Sequence, residues 1–274
     1  MTPDLMTFVA EVVATNSGLV LAPDKAYLVE SRLTPLARRH GFASLEAFLK
    51  DLKAKRDKAM LWAVTDALTT NETFFFRDKT PFDQFRDDVL PTLARSRETL
   101  RVWCAACSTG QEPYSLAMLM SEVQYKFPKL KLDILATDIS DRCLEKAPAG
   151  IYTRFEVQRG LPDGYLQKYF EGADDVWRVK PALRQAVRWR AFNLLDDPIA
   201  LGGSFDVVFC RNVLIYFDPP TKRRVLERIA TVTQPDGYLF LGSAETVLGV
   251  TDSFESVPAK RGLYARSAGA RKAA

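Results

Sequence analysis

The stretch Arg101–Ala117, RVWCAACSTGQEPYSLA, admits two readings that lead to different folds. Cys104 and Cys107 have the spacing of a redox dithiol, whereas Ser108, Thr109 and Gly110 form the small-residue loop of a ligand site. A thioredoxin-type dithiol needs its first cysteine at a helix N-terminus, where the dipole lowers the thiol pKa. Cys104 is still inside the apolar run. The helix-start signals come later, at Glu112 and Pro113, an acid favoured in the first turn and a proline favoured at the first helical position. The spacing therefore argues against redox work. It leaves a strand, a loop and a helix, the unit by which an open α/β sheet turns backbone N–H groups toward a ligand.

Working outward, KLDILATDIS places Asp138 directly after an apolar strand, at about the distance beyond Gly110 where α/β nucleotide sites keep the carboxylate that binds ribose hydroxyls. No Gly-Lys-Ser/Thr follows the glycine, which excludes a P-loop ATPase. Ribose recognition without a phosphate cradle suggests S-adenosylmethionine. FDVVFC reads as a fully buried central strand with Arg211 and Asn212 at its carboxyl end, where polar residues line a site. Apolar runs of this kind alternate with helical segments from Leu100 onward, so the fold class is α/β with parallel strands and crossover helices. Between about 158 and 192 the alternation breaks around a Gly-Ala-Asp-Asp turn, and a small antiparallel β insertion is expected there.

Residues 1–79 read differently. Helix-period apolar residues recur in DLMTFVAEVVATNSGL, DKAYLVESRLTPLARRHG, SLEAFLKDLK and KAMLWAVTDALTT, with Asp24 and Ser44 as N-caps, Gly18 and Gly41 as C-terminal breakers, and Pro35 interrupting the second helix. An all-α domain over 1–79, an α/β domain over 80–266 and a disordered tail over 267–274 follow. The 274 residues are 47% hydrophobic, ordinary for a globular chain, and no apolar run approaches the ~20 residues that span a bilayer. The amino terminus carries no signal-peptide pattern, so a cytoplasmic protein without membrane insertion is expected. A net charge of +4 is too small to imply nucleic-acid binding. Four cysteines and a single histidine, His40 near a helix end, support neither a disulfide scaffold nor a metal site.

TTNETFFFRDKTPFDQF, RVWCAACSTGQEPYSLAML, ILATDIS, FNLLD, FDVVFCRNVLIYFD and GYLFLGSAET stand in this order. Together they resemble the chemotaxis receptor glutamate O-methyltransferases, the CheR family. The resemblance covers nearly the whole chain. It implies a helical N-terminal domain joined to a Rossmann-like methyltransferase domain with a β-subdomain. The implied reaction moves a methyl group from S-adenosylmethionine to receptor glutamates, leaving S-adenosylhomocysteine. The implied partner is the cytoplasmic helical bundle of a chemoreceptor, bound by a monomer.

By this resemblance Asn71, Thr73 and Arg77 contact the cofactor, and Arg77 also stands at the reaction centre; from spacing alone the three are equally a capped linker turn. Glu112 becomes a cofactor ligand rather than only a helix-start acid. Asn193 and Leu194 bracket the adenine, although from spacing Asn193 reads as a strand-end cap. Tyr216 is placed beside the transferring methyl, where its phenol orients the acceptor oxygen. Basic residues outnumber acidic ones between 25 and 58, and Lys25, Arg32 and Arg39 recur two turns apart beside Val29, Leu33 and Leu36. A solvated face explains such a run. The family, however, uses its arginine-rich second helix on the receptor, which makes Arg32, Arg38 and Arg39 the substrate-binding candidates. FEGADDVWRV is shorter than the glycine-containing loop of members that dock a receptor's C-terminal pentapeptide, so direct recognition of the bundle is expected. Two alternatives are a same-fold methyltransferase acting on another pathway protein and a non-catalytic sensor of S-adenosylmethionine or its product.

Overall fold

The computed structural model describes residues 1–268, which divide into two compact units. The first comprises Met1–Thr70 together with Tyr216–Thr221. Its four main helices are α1 (Pro3–Ser17), α2 (Ala26–Arg39), α3 (Leu45–Lys55) and α4 (Lys58–Leu68). Side-chain caps define the starts of three: Thr2, Ser44 and Asp57 accept from the backbone N–H three positions on. Gly18 at φ 76° closes α1, a left-handed position that glycine adopts without a Cβ penalty. Each helix turns one apolar stripe inward, with Phe8, Val9, Val29, Leu33, Phe48, Leu49 and Leu68 in one core.

Two sequence expectations for this unit are corrected. Asp24 lies inside a 3-10 turn, Pro23–Lys25, and caps no helix. Pro35 does not interrupt α2, which runs through it. The ring is on the exposed face, so a missing N–H costs one bond while the buried stripe stays continuous. Arg32 is engaged within the unit. Its Nη1 donates to the carbonyls of Leu68 (2.8 Å) and Thr69 (2.7 Å), and its Nη2 to Thr70 Oγ1 (3.2 Å). A guanidinium thus satisfies the orphan carbonyls that end α4 and opposes the negative end of its dipole.

The second unit comprises Asn71–Ile215 and the chain from Lys222 onward. The sequence boundary near residue 79 falls instead between Thr70 and Asn71. The reason is Phe75, which is fully buried in the core of the sheet domain and brings its neighbours with it. The main strands are β1 (Thr99–Ala105), β2 (Lys131–Asp138), β6 (Val187–Ala191), β7 (Phe205–Cys210), β8 (Thr233–Leu241), β9 (Phe254–Ser256) and β10 (Leu263–Arg266). They form one sheet in the order β6-β2-β1-β7-β8-β10-β9. β6 through β8 are parallel, and β10 pairs antiparallel with β8 and β9. The strand order reverses between β1 and β7, the switch point where an open α/β sheet leaves a crevice at its carboxyl edge. β7 is buried at every residue, and Phe209 stacks on Phe240 with ring centroids 4.4 Å apart.

A second, three-stranded antiparallel sheet consists of β3 (Ile151–Thr153), β4 (Phe170–Ala173) and β5 (Val176–Val179), ordered β3-β5-β4. The Gly-Ala-Asp-Asp turn is the β4–β5 hairpin, with Asp174 at φ 55°. The expected span of the insertion is corrected at both ends: β3 precedes it, and Val187–Ala191 pairs with β2 in the main sheet. Ser267, expected in a disordered tail, is buried and donates its N–H to Ser253 O at 3.0 Å. Residues 269–274 of that expectation lie outside the described residues. Among the described residues no helix is long and apolar enough to cross a membrane.

Arg32→Ala is expected to destabilise the helical unit by about 1–2 kcal/mol, the value of charge-assisted bonds at a helix end. Exposed Arg38→Ala and Arg39→Ala should move it by less than ~0.5 kcal/mol. Urea titrations followed by far-ultraviolet circular dichroism compare the three.

Candidate functional site

The carboxyl ends of β1, β2 and β7 carry the polar groups of the second unit. After β1 the chain enters a loop with three left-handed residues, Ala106 (φ 73°), Ser108 (φ 50°) and Gly110 (φ 97°). Gly110 cannot be replaced freely, because a Cβ there would stand 3.0 Å from the Trp189 ring and 3.1 Å from Ala147 Cβ and Tyr152 Oη. The helix Gln111–Val123 begins immediately afterwards, so Pro113 is its third residue rather than its first. Both positions are free of an N–H bonding requirement.

Strand β2 holds this loop. Ala106 N and Cys107 N both donate to Thr137 O at 2.9 Å. Asp138, 5% exposed, accepts from Ser108 N at 2.7 Å through one oxygen and from Ser140 N at 2.9 Å through the other. Its carboxylate therefore joins the first strand's loop to the second strand's turn. Phe192 N donates to Asp138 O at 3.0 Å, which sets Asn193 and Leu194 beside the same strand end, and Asn193 Oδ1 accepts from Leu195 N at 3.0 Å.

The segment 71–79 is anchored to the same loop and helix. Ser108 Oγ donates to Asn71 O at 2.7 Å, and Phe76 N donates to Ser115 Oγ at 2.9 Å. Thr73 is half-buried between these anchors. Arg77 Nη1 donates to Glu72 O at 2.6 Å and its guanidinium lies 5.7 Å from the Phe74 ring centroid. Arg159 covers Phe74 at 4.3 Å and pairs with Glu72 at 2.8 Å, and that guanidinium holds the Glu72 carboxyl below its usual range.

Arg211, at the end of β7, has a side chain only 2% exposed. Nη1 donates to Glu112 Oε2 at 2.8 Å; Nη2 donates to Arg77 O at 2.7 Å and Asp78 Oδ2 at 2.8 Å. This residue, read from sequence as a cofactor contact, ties helix 111–123 to the Arg77 segment. Burial raises the Glu112 carboxyl pKa, against the opposing pull of Arg211. Cys104 and Cys107 are fully buried free thiols whose pKa values burial raises well above normal, the opposite of a reactive dithiol.

Asn212 follows at φ 59°, a left-handed position that asparagine tolerates. Its N–H donates to Glu245, a residue that the sequence reading did not single out. The available signal was an acidic residue just beyond the apolar strand GYLFL, the same logic that selected Asp138. Tyr216 belongs to the helical unit, where its carbonyl accepts from Val20 N at 2.8 Å and its ring packs on the helical core. Arg32, Arg38 and Arg39 lie on α2 of that unit, and Arg39 is exposed at its end. Among the described residues no group of three or more His, Cys, Asp or Glu side chains is placed to hold a metal ion.

Comparisons with known proteins agree with this division. Residues 5–69 match the CheR methyltransferase all-alpha domain, and residues 71–263 match the CheR methyltransferase SAM binding domain. The chain is 44% identical over 252 residues to the chemotaxis protein methyltransferase of Vibrio parahaemolyticus, covering 91% of each chain. It is 43% identical to chemotaxis protein methyltransferase 1 of Pseudomonas aeruginosa over 91% of this chain and 93% of that one. Against the chemotaxis protein methyltransferase of Salmonella typhimurium it is 36% identical over 90% and 85%.

Removing one partner of a buried ion pair leaves the other charge uncompensated. Arg211→Met is therefore expected to destabilise the sheet domain by about 3–5 kcal/mol, and adding Glu112→Gln should recover part of the loss. Urea unfolding followed by tryptophan fluorescence of the two variants and Glu112→Gln alone measures the coupling.

Proposed function

The chain belongs to the CheR methyltransferase family, and from that premise we propose that it methylates glutamate side chains on the cytoplasmic helical bundle of a chemoreceptor. Each turnover would yield a glutamate γ-methyl ester and S-adenosylhomocysteine, with the protein working in the cytoplasm. S-adenosylmethionine is the cofactor of the second domain and supplies, when bound, a methyl group activated on a sulfonium. The observation that carries the reading is the strand-end frame built on Asp138, Glu112 and Arg211 at the sheet's switch point.

The residues of that frame fit the cofactor chemically. Backbone N–H groups of Ser108 and Ser140 fix the Asp138 carboxylate at the strand end, and a carboxylate is the acceptor that ribose hydroxyls require. Glu112 offers an anionic partner for an amino group. Asn193 and Leu194 would supply a hydrogen-bonding edge and an apolar surface for the adenine, while Asn71, Thr73 and Arg77 are assigned to the cofactor by the resemblance. Asn212 completes the set at the end of β7. Arg211 contributes through the groups it ties, Glu112 and the Arg77 segment.

The acceptor carboxylate needs no general base, since a glutamate with a reference pKa near 4.3 is ionised at neutral pH. What remains for the protein is in-line placement of the carboxylate oxygen and removal of the water that blunts its nucleophilicity. Arg77 suits this role because a guanidinium offers a planar donor fork to a carboxylate. Tyr216 is assigned the orientation of the acceptor oxygen on the resemblance alone. For receptor recognition Arg38 and Arg39 carry the proposal, while Arg32 is engaged at the end of α4. The short β4–β5 hairpin supports direct recognition of the bundle without a C-terminal tether.

Methyl transfer from radiolabelled S-adenosylmethionine to membranes containing competent chemoreceptors tests the reading, scored as base-labile methanol. Wild-type protein should give base-labile counts, equally from receptors trimmed of their C-terminal residues. Arg77→Ala should lower the rate by about a hundredfold, and Asp138→Ala should weaken cofactor binding by at least about tenfold. Tight cofactor binding with no base-labile counts would sink the receptor-methylation reading.

A further inference from the structure

Glu245 lies just beyond β8 and is 9% exposed. One of its carboxylate oxygens, Oε2, accepts from Asn212 N at 2.8 Å and from Gly242 N at 2.7 Å. The other, Oε1, accepts from Val213 N at 2.9 Å and Ile215 N at 3.3 Å. A carboxylate has about four lone-pair sites, and here four backbone donors fill them. Nothing is left with which to accept from a substrate. The group acts entirely on the backbone around it.

Three of the four donors belong to the segment that leaves β7 after Arg211, and the fourth to the segment that leaves β8. The first of these segments has just passed through the left-handed position Asn212 and has no regular strand pairing of its own. Glu245 thus takes the place of a strand neighbour that the two exits lack. Gly242 adds an independent sign that the fit is close. A Cβ at this position would stand 2.6 Å from Asn212 Nδ2 and 2.8 Å from Glu245 Oε2. The clasp also borders open space, since Gly242, Glu245, Arg261 and Tyr264 line a recess of about 340 Å³. It therefore shapes an accessible edge of the domain as well as its interior.

We propose that Glu245 is a positioning residue for the methyl transfer. Its carboxylate clasps the exits of β7 and β8 and thereby sets the geometry of the segment from Arg211 to Ile215. The inference rests on the proposed reaction, for which that segment supplies Asn212 directly and Arg211 through its ties to Glu112 and the Arg77 loop. Gln at this position would replace one acceptor oxygen with an N–H₂ group that faces N–H donors, so at least two of the four bonds must break. Asp would keep the charge and both acceptors but withdraw them by one methylene. Three of the other proposed cofactor groups, Asp138, Asn193 and Leu194, lie at the β2 and β6 ends and do not depend on the clasp.

The test compares full-length wild type, Glu245→Gln, Glu245→Asp and Gly242→Ala. Three quantities are read: kcat per folded molecule for methyl transfer to receptor membranes, the dissociation constant for S-adenosylmethionine, and amide hydrogen exchange of peptides covering 211–217 and 240–246. Glu245→Gln should lower kcat at least about tenfold, with cofactor affinity falling by a smaller factor and exchange accelerated in those two peptides while others keep their protection. Glu245→Asp should recover part of the rate, and Gly242→Ala should lose rate with the glutamate still in place. A Gln variant with wild-type kcat per folded molecule, or one whose faster exchange spreads over the whole domain, would overturn the proposal. If wild type itself methylates no receptor, the proposed substrate falls. The exchange pattern still decides whether the glutamate clasps these two exits, and unchanged exchange in the Gln variant overturns the clasp.

Discussion

A parallel sheet buried on both faces satisfies its backbone within the ladder everywhere except where the strands end, and this constraint organises the second unit. At the carboxyl edge each chain must turn away, and N–H groups that have lost their strand partner need another acceptor. Five such exits lie at this edge, after β6, β2, β1, β7 and β8. Two buried carboxylates serve four of them: Asp138 takes Ser108 and Ser140, and Glu245 takes Asn212, Val213, Ile215 and Gly242, while the β6 exit donates from Phe192 to the Asp138 carbonyl. Thr137 closes the rest of the β1 exit through its carbonyl. The charges that make this edge chemically capable are thus the ones its backbone requires.

Buried charge demands compensation, and the compensation links elements distant in sequence. Arg211 is the clearest instance. Within the second unit it reaches one carboxylate at the start of helix 111–123 and both a carbonyl and a carboxylate in the 77–78 segment. The segment that presents Arg77 therefore has its position set from β7 on one side and from Glu72 and the Arg159-covered Phe74 ring on the other. Charge-assisted bonds of this kind are shorter and stronger than neutral ones, so they fix the segment's place at both ends.

The legible part of the sequence was the part governed by local rules. Apolar runs ending in a polar residue identified β1, β2 and β7, and the position of Cys104 inside its strand was enough to separate a ligand loop from a dithiol. Local rules failed where tertiary packing decided. Pro35 is tolerated because its ring meets solvent, which the residue alone does not reveal. Val187–Ala191 was grouped with the hairpin before it because both are short and mixed in polarity; only parallel pairing with β2 assigns it to the main sheet. Residues 71–79 read as a junction, which puts the boundary after Lys79, yet the buried ring of Phe75 anchors the segment in the sheet domain. Glu245 was missed although its pattern matched that of Asp138, since an acid followed by threonine beyond a strand also reads as an ordinary turn. Arg32 shows the converse: the family resemblance marks it for a partner, and the end of α4 already claims it.

These features bear on how the proposed transfer gains its rate. A reaction whose nucleophile is already ionised draws little from proton transfer, so the barrier responds mainly to alignment and to water removal. Titratable side chains are then free to serve as fixed acceptors, and that is the state in which Asp138 and Glu245 are found. A misplacement of about 1 Å is costly in such a mechanism, and preventing one is worth more than another polarising group. Hydrogen bonds from several amides to one carboxylate resist displacement collectively, because moving any one donor strains the others. In the proposed transfer the buried carboxylates at the strand exits would thus serve the fold and the chemistry together, the bonds that complete the sheet being those that hold the reacting geometry.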